Sequence, residues 1–167
     1  LNILWQYNID SPASYLSLEY AFIDDGLFIT FIGPAETNAQ VINGIAEEGF
    51  SGGELMGFND VDGSVAWRLT IPNAVDAIKQ VGQQVIIASL AQVLIVNAQT
   101  GKIEHTIETA TATPTYRVLA VGLHVDDNYI YYTNTADRCL CIYDNSTYQL
   151  VNKLVAPKGH SIRHYDF

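Results

Sequence analysis

Basic residues are scarce in this chain: 8 Lys and Arg stand against 18 Asp and Glu, a formal net charge of −10 over 167 residues. They form no cluster. That excludes a nucleic-acid partner, because nothing is present to displace the counterions of a phosphate backbone. It equally excludes electrostatic docking on anionic lipid. No run approaches the roughly 18–20 apolar residues of a membrane helix. Residues 90–96 are apolar but too few, so no direct membrane insertion is expected. Thiols are also few. Cys139 and Cys141 are the two cysteines, and on a predicted strand they face the same side. A disulfide between them would be strained. A structural zinc site wants four ligands, and nothing fixes His124, His160 or His164 beside them. Buried free cysteines are the expectation.

Catalytic patterns are missing too. There is no Gly-x-Ser-x-Gly elbow and no His-Glu-x-x-His. Gly52-Gly53 lacks the downstream Lys-Ser/Thr of a phosphate loop. His105, His160 and His164 with Ser161 or Asp166 make no recognisable constellation. Asn59-Asp60-Val61-Asp62-Gly63 hints at a calcium loop, but Phe58 and Leu69 fall where an EF-hand needs oxygen ligands. A plain hairpin turn is expected there. No catalytic residue, cofactor ligand or metal ligand is assigned, and no cofactor is expected. A signal peptide is absent and Leu1 is not an initiator methionine, so the expectation is a processed chain or a piece of a longer one. Lysine is rare while Tyr, Thr, Asn and Gln abound, a balance that favours a luminal, periplasmic or extracellular setting. The sequon Asn145-Ser146-Thr147 falls in a predicted turn, where Asn145 is a candidate glycan acceptor.

What the chain does have is repetition. Residues 57–67 read G-F-N-D-V-D-G-S-V-A-W, residues 95–105 read I-V-N-A-Q-T-G-K-I-E-H, and residues 142–152 read I-Y-D-N-S-T-Y-Q-L-V-N. Each places Asn59, Asn97 or Asp144 three residues before Asp62, Thr100 or Thr147. Gly63 and Gly101 follow in two copies, and Tyr148 in the third. The copies start 38 and then 47 residues apart, the length of a propeller-blade repeat. The leading Asn or Asp can accept backbone N–H bonds two or three residues on and close a turn. Glycine then supplies a positive φ. Alternating runs at 64–71, 102–108 and 149–155 read as return strands. Trp67, four residues past its glycine, is suited to fill the wedge between blades. His105 and Asn152 hold the same position, and Trp5 repeats Trp67 without the preceding turn.

The pattern apolar-x-Asp-x-x-Thr-Gly-x-x-x-Trp resembles the repeat of quinoprotein-like propellers. Ile95, Asn97, Thr100 and Gly101 match it, as do Gly57, Asn59, Gly63 and Trp67 with Asp62 in place of threonine, and Asp144 and Thr147 in part. The resemblance implies an all-β fold of four-stranded antiparallel blades in a ring, and leaves function open. Quinone-dependent members carry a vicinal Cys-Cys pair at the cofactor. Cys139-Leu140-Cys141 departs from that and counts against quinone binding.

On this basis residues 1–9 are the last strand of a preceding blade. Blades follow at 15–71, 74–108 and 116–155, and 159–167 begin another. A partial propeller leaves edges and faces open, so it needs the remaining blades of the same protein, a second copy, or a partner chain. The long polar stretch 33–53 separates the second and third strands of the first blade. Propeller geometry would place its Glu36, Glu47 and Glu48 on a rim with Asn73, Tyr116 and His160. The functional expectation is a non-catalytic protein-interaction scaffold, part of a larger propeller protein or complex. It would bind through one propeller face and the 33–53 insertion. The alternatives are a segment of a quinone- or metal-dependent oxidoreductase with its site in other blades, and a carbohydrate- or ligand-binding module.

Overall fold

The computed structural model describes residues 3–8, 16–17, 21–34, 40–42, 45–47, 53–72, 75–89, 92–109, 122–134, 138–158 and 160. All the regular structure in them is β. The chain divides into two compact units, residues 1–74 with 98–102, and residues 75–97 with 103–167.

In the first unit, β1 (Leu16–Ser17), β2 (Ala21–Asp24), β3 (Leu27–Pro34), β6 (Gly53–Asn59) and β7 (Val65–Ile71) make one sheet. Its first edge is shared. β2 pairs with the start of β3, and β1 with its end, through Leu16↔Pro34 and Ser17↔Gly33. The β2–β3 turn has φ of 41° at Asp25 and 81° at Gly26. Positive φ at both central residues lets a two-residue turn follow the strand twist, and Asp-Gly tolerates it best. The insertion between β3 and β6 is not wholly irregular. It holds a small hairpin, β4 (Gln40–Ile42) with β5 (Ile45–Glu47).

The second unit holds two four-stranded antiparallel sheets. One runs β8 (Val75–Val81), β9 (Gln84–Ser89), β10 (Gln92–Asn97), β11 (Ile103–Glu108). The other runs β12 (Leu123–Val125), β13 (Tyr129–Asn134), β14 (Cys139–Asp144), β15 (Leu150–Val155). Residues 116–121, at the start of the expected third blade, and most of the segment 159–167 lie outside the described residues.

The two sheets pack face to face. Ile86, Ala88, Val93, Ile95 and Ile107 meet Leu123, Ile130, Tyr132, Cys139, Cys141 and Tyr143 in one buried cluster. Alternation explains the membership, since registers such as Ile95↔Ile86 and Tyr132↔Cys141 bring same-face side chains together. Cys139 and Cys141 are buried thiols, with sulfurs 3.6 Å apart. They fill core volume, and burial among these groups pushes the Tyr143 phenol well above its ordinary pKa.

Candidate functional site: turns, ring docking and an open sheet face

The three repeat turns are built from their own side chains. In the first, Asn59 Oδ1 accepts the Val61 N–H at 2.9 Å, and Gly63 N–H donates to the Asn59 carbonyl at 2.8 Å. Asp62 Oδ1 takes both the N–H and the hydroxyl of Ser64, which hold its carboxyl below the usual range. In the second, Thr100 Oγ1 accepts the Lys102 N–H at 3.4 Å, and Asn97 Nδ2 donates to Glu104 at 2.9 Å. In the third, Asp144 Oδ1 collects four donors, the N–H and hydroxyl groups of Ser146 and Thr147, at 2.7–3.0 Å.

Those four donors drive the Asp144 pKa down to about 2. The ordinary unfolded value is near 3.9. A depressed native pKa means the ionised turn stabilises above the unfolded value, and the contribution is lost as pH falls toward 2. Asp144→Ala should therefore lower the thermal midpoint at neutral pH. The difference from the parent chain should close on acidification through pH 4 to 2, measured by melting at stepped pH. A difference independent of pH would show that the carboxylate charge is not what holds the turn.

The turn also decides the accessibility of Asn145. Its Nδ2 donates to the Asp126 carbonyl at 3.1 Å, and its N–H to the Asn128 carbonyl at 2.8 Å. Glycosylation would replace one of the two hydrogens on that nitrogen and leave the other to donate.

Aromatic rings seat on these turns in a regular series. The Trp5 indole lies over Gly63, donates to the Asp60 carbonyl at 3.0 Å and stacks on Phe58 at 5.9 Å. Trp67 lies over Gly57 and Gly101, where an added Cβ would come within 2.4 Å of its ring in both cases. Gly63 and Gly101 have φ of 70° and 65°. Glycine is thus required twice over, by backbone conformation and by the ring above it. In the last step Tyr148 has φ 58°, and its phenol stacks on His105 at 4.5 Å with planes 21° apart. Ring size and cross-strand partner compensate. Trp67 stands opposite Gly57, the smaller His105 opposite Ile95, and Asn152 opposite Ile142. Sequence alone missed Tyr148, because only the His105 stack shows how a side chain fits the glycine position.

The same series reveals an open face. On the first sheet, the side carrying Trp67 also carries Ile29, Phe31, Leu55 and Ile71, all buried. On the second, the equivalent Ile86, Ala88, Val93 and Ile95 are fully buried. On the third, the equivalents are Tyr131, Leu140, Ile142, Asn152 and Leu154. Thr133, on the same face and equivalent to Ala88, is buried beside Gly122, but Tyr131, Leu140 and Ile142 are half-buried, Asn152 is exposed, and Leu154 is 51 % exposed.

The expected rim is less fully placed. Glu36, Glu48, Asn73 and Tyr116 lie outside the described residues. Glu47 ends β5. His160 is exposed, its N–H on the Pro157 carbonyl at 3.0 Å. Among the described residues no group of three or more His, Cys, Asp and Glu is placed to hold a metal.

No protein-family model and no curated protein matches the chain. Solved structures do. A computationally designed protein, Ika8, is similar at 13 % identity and TM-score 0.62, over 98 % of this chain and 43 % of that one. BamB from Moraxella catarrhalis is similar at 18 % and 0.54, over 91 % and 39 %. The quinohemoprotein alcohol dehydrogenase ADHIIG from Pseudomonas putida HK5 is similar at 14 % and 0.58, over 92 % and 22 %. At such identities the likeness speaks for fold alone. That fold is a partial β-propeller. The chain spans less than half the length of each of these three structures.

Proposed function

We propose that this chain is a non-catalytic interaction scaffold, working as part of a larger propeller protein or complex. The observation that carries the reading is the open face of the β12–β15 sheet. Three copies of one repeat present the same face, two bury it, and the third leaves apolar side chains such as Leu154 in water. Apolar surface left open at a position where its own repeats are covered fits docking by another polypeptide. A further propeller repeat has the matching shape.

Partner recognition is assigned to one propeller face and the 33–53 insertion. The insertion carries its own hairpin, β4–β5. Hairpins and loops on a rigid sheet scaffold are where binding groups are usually mounted. Deleting residues 38–50 from the natural full-length protein should abolish capture of its complex partners, with the thermal midpoint little changed. Quantitative mass spectrometry of affinity-purified complexes measures this. Unchanged partner recovery from a folded deletion variant would sink the assignment.

A further inference from the structure

We propose that the outer edge of β15 accepts an added strand from an acidic, extended peptide with apolar residues at alternate positions. This edge adjoins the open sheet face that carries the proposed scaffold role, and Leu154 and Asn152 belong to both, but strand addition uses the outward backbone groups rather than the face. β15 pairs with β14 on one side and ends its sheet on the other. All six of its residues are exposed, with Leu150 at 52 %, Val151 at 56 %, Leu154 at 51 % and Val155 at 60 %. An exposed edge with four large apolar residues is an arrangement that folded proteins usually protect.

The other repeats do protect theirs. β7 carries Arg68, bridged to Glu54 at 3.7 Å and bonded to the Tyr7 hydroxyl. β11 carries Glu104 and Glu108, held by Gln84, Asn97 and Gln92. β15, like β7, has one charge, but its Lys153 is held by no salt bridge among the described residues. Its backbone shows the same openness. The Lys153 N–H is taken at 2.8 Å by the side-chain oxygen of its neighbour Asn152. That donor is therefore turned away from β14, and alternation along the regular register 152–155 turns the N–H of Val155 the same way, while the bulge at Val151 interrupts the alternation before it. A side-chain bond of this kind exchanges readily for an incoming carbonyl, so the edge stands ready for strand addition.

Charge selects the occupant. Residues 150–160 contain no Asp or Glu in a chain of net charge −10, yet include Lys153, Lys158 and His160, all exposed. The overall negative charge does not veto an acidic ligand, since the Debye length at physiological salt is about 8 Å and local charges dominate. A second copy would bring lysine against lysine across this edge and is disfavoured.

The test uses two fluorescent synthetic peptides, one alternating Val with Glu and the other Val with Lys, titrated with the chain. The acidic peptide should bind saturably and about tenfold or more tighter than the basic one, and added salt should weaken it. Val155→Pro removes an outward N–H, a change edge strands tolerate, and should abolish binding while the melting curve stays cooperative. Lys153→Glu should invert the peptide preference and serves if the proline variant fails to fold. Absence of binding overturns the proposal. So does equal binding of both peptides, or retention by a folded Val155→Pro variant. Self-association that Val155→Pro removes, with no peptide binding, assigns the edge to a second copy and overturns it as well.

Discussion

Trp67→Ala should destabilise the protein by about 3–5 kcal/mol, the cost of truncating a buried aromatic. Trp67 is 9 % exposed, and its ring covers the backbone at both Gly57 and Gly101. Removing it opens a void over two glycines that have no side chain to collapse into the space. Its indole nitrogen is buried without a hydrogen-bond partner among the described residues. Trp67→Phe should accordingly cost far less than Trp67→Ala, because no hydrogen bond is lost with the smaller ring. Gly101→Ala should be damaging for complementary reasons. The new Cβ meets the ring at 2.4 Å, and φ is 65°. The left-handed conformation alone costs a non-glycine residue about 1–2 kcal/mol. Denaturant unfolding of the three variants measures the series. A Trp67→Ala loss under about 1 kcal/mol would show that ring docking contributes little.

The second large effect is a contrast between two residues that the repeat makes equivalent. Ile95 and Ile142 hold the same place in successive copies, 47 positions apart. Ile95 is fully buried within the cluster between the two sheets of the second unit. Ile142 lies half-buried on the open face. Ile95→Asp puts a carboxylate into that cluster and should cost at least about 4 kcal/mol, enough to unfold the unit. Ile142→Asp should stay within about 1 kcal/mol in this chain alone, because the carboxylate reaches water. In the complete natural protein the same Ile142→Asp substitution should be severe, since the docked surface would bury the charge. Melting curves of both variants, in the isolated chain and in the full protein, check the four outcomes. Equal tolerance of Ile142→Asp in both settings would leave the open face without an occupant.

Much of the architecture could be read from short-range chemistry. The turns at Asn59–Gly63, Asn97–Gly101 and Asp144–Tyr148 are set by side chains bonding within a few residues of themselves, so the pattern lies in the sequence. The Asp25-Gly26 turn is equally local, since it depends on the positive φ those two residues tolerate. Trp67 was legible as a blade filler because indole size at a fixed offset from glycine carries its own meaning. What escaped notice depends on contacts between distant segments. The β4–β5 hairpin lies in a stretch rich in Gly and polar residues whose composition reads as loop. The shared edge of β1 and β2 on β3 arises from pairing, which periodicity does not encode. The open face was invisible for a further reason. Leu140, Ile142 and Leu154 alternate as Val93, Ile95 and Ile107 do, and alternation reports a sheet face without saying what covers it. The candidate interaction residues were the least legible. Acidic residues in an insertion satisfy no local rule, and propeller geometry alone suggested a rim of Glu36, Glu47, Glu48, Asn73, Tyr116 and His160.

The open face is the centre of this account, and a photo-crosslinker at position 142 tests it most directly. Ile142 would be replaced by a benzophenone amino acid in the natural full-length protein, with Asp127 as an exposed control position. After illumination, the crosslinked peptide would be identified by mass spectrometry. An efficient adduct from position 142 to one defined segment of a further β-repeat is expected, and none from position 127. No adduct at 142, or the same scattered adducts from both positions, would contradict it.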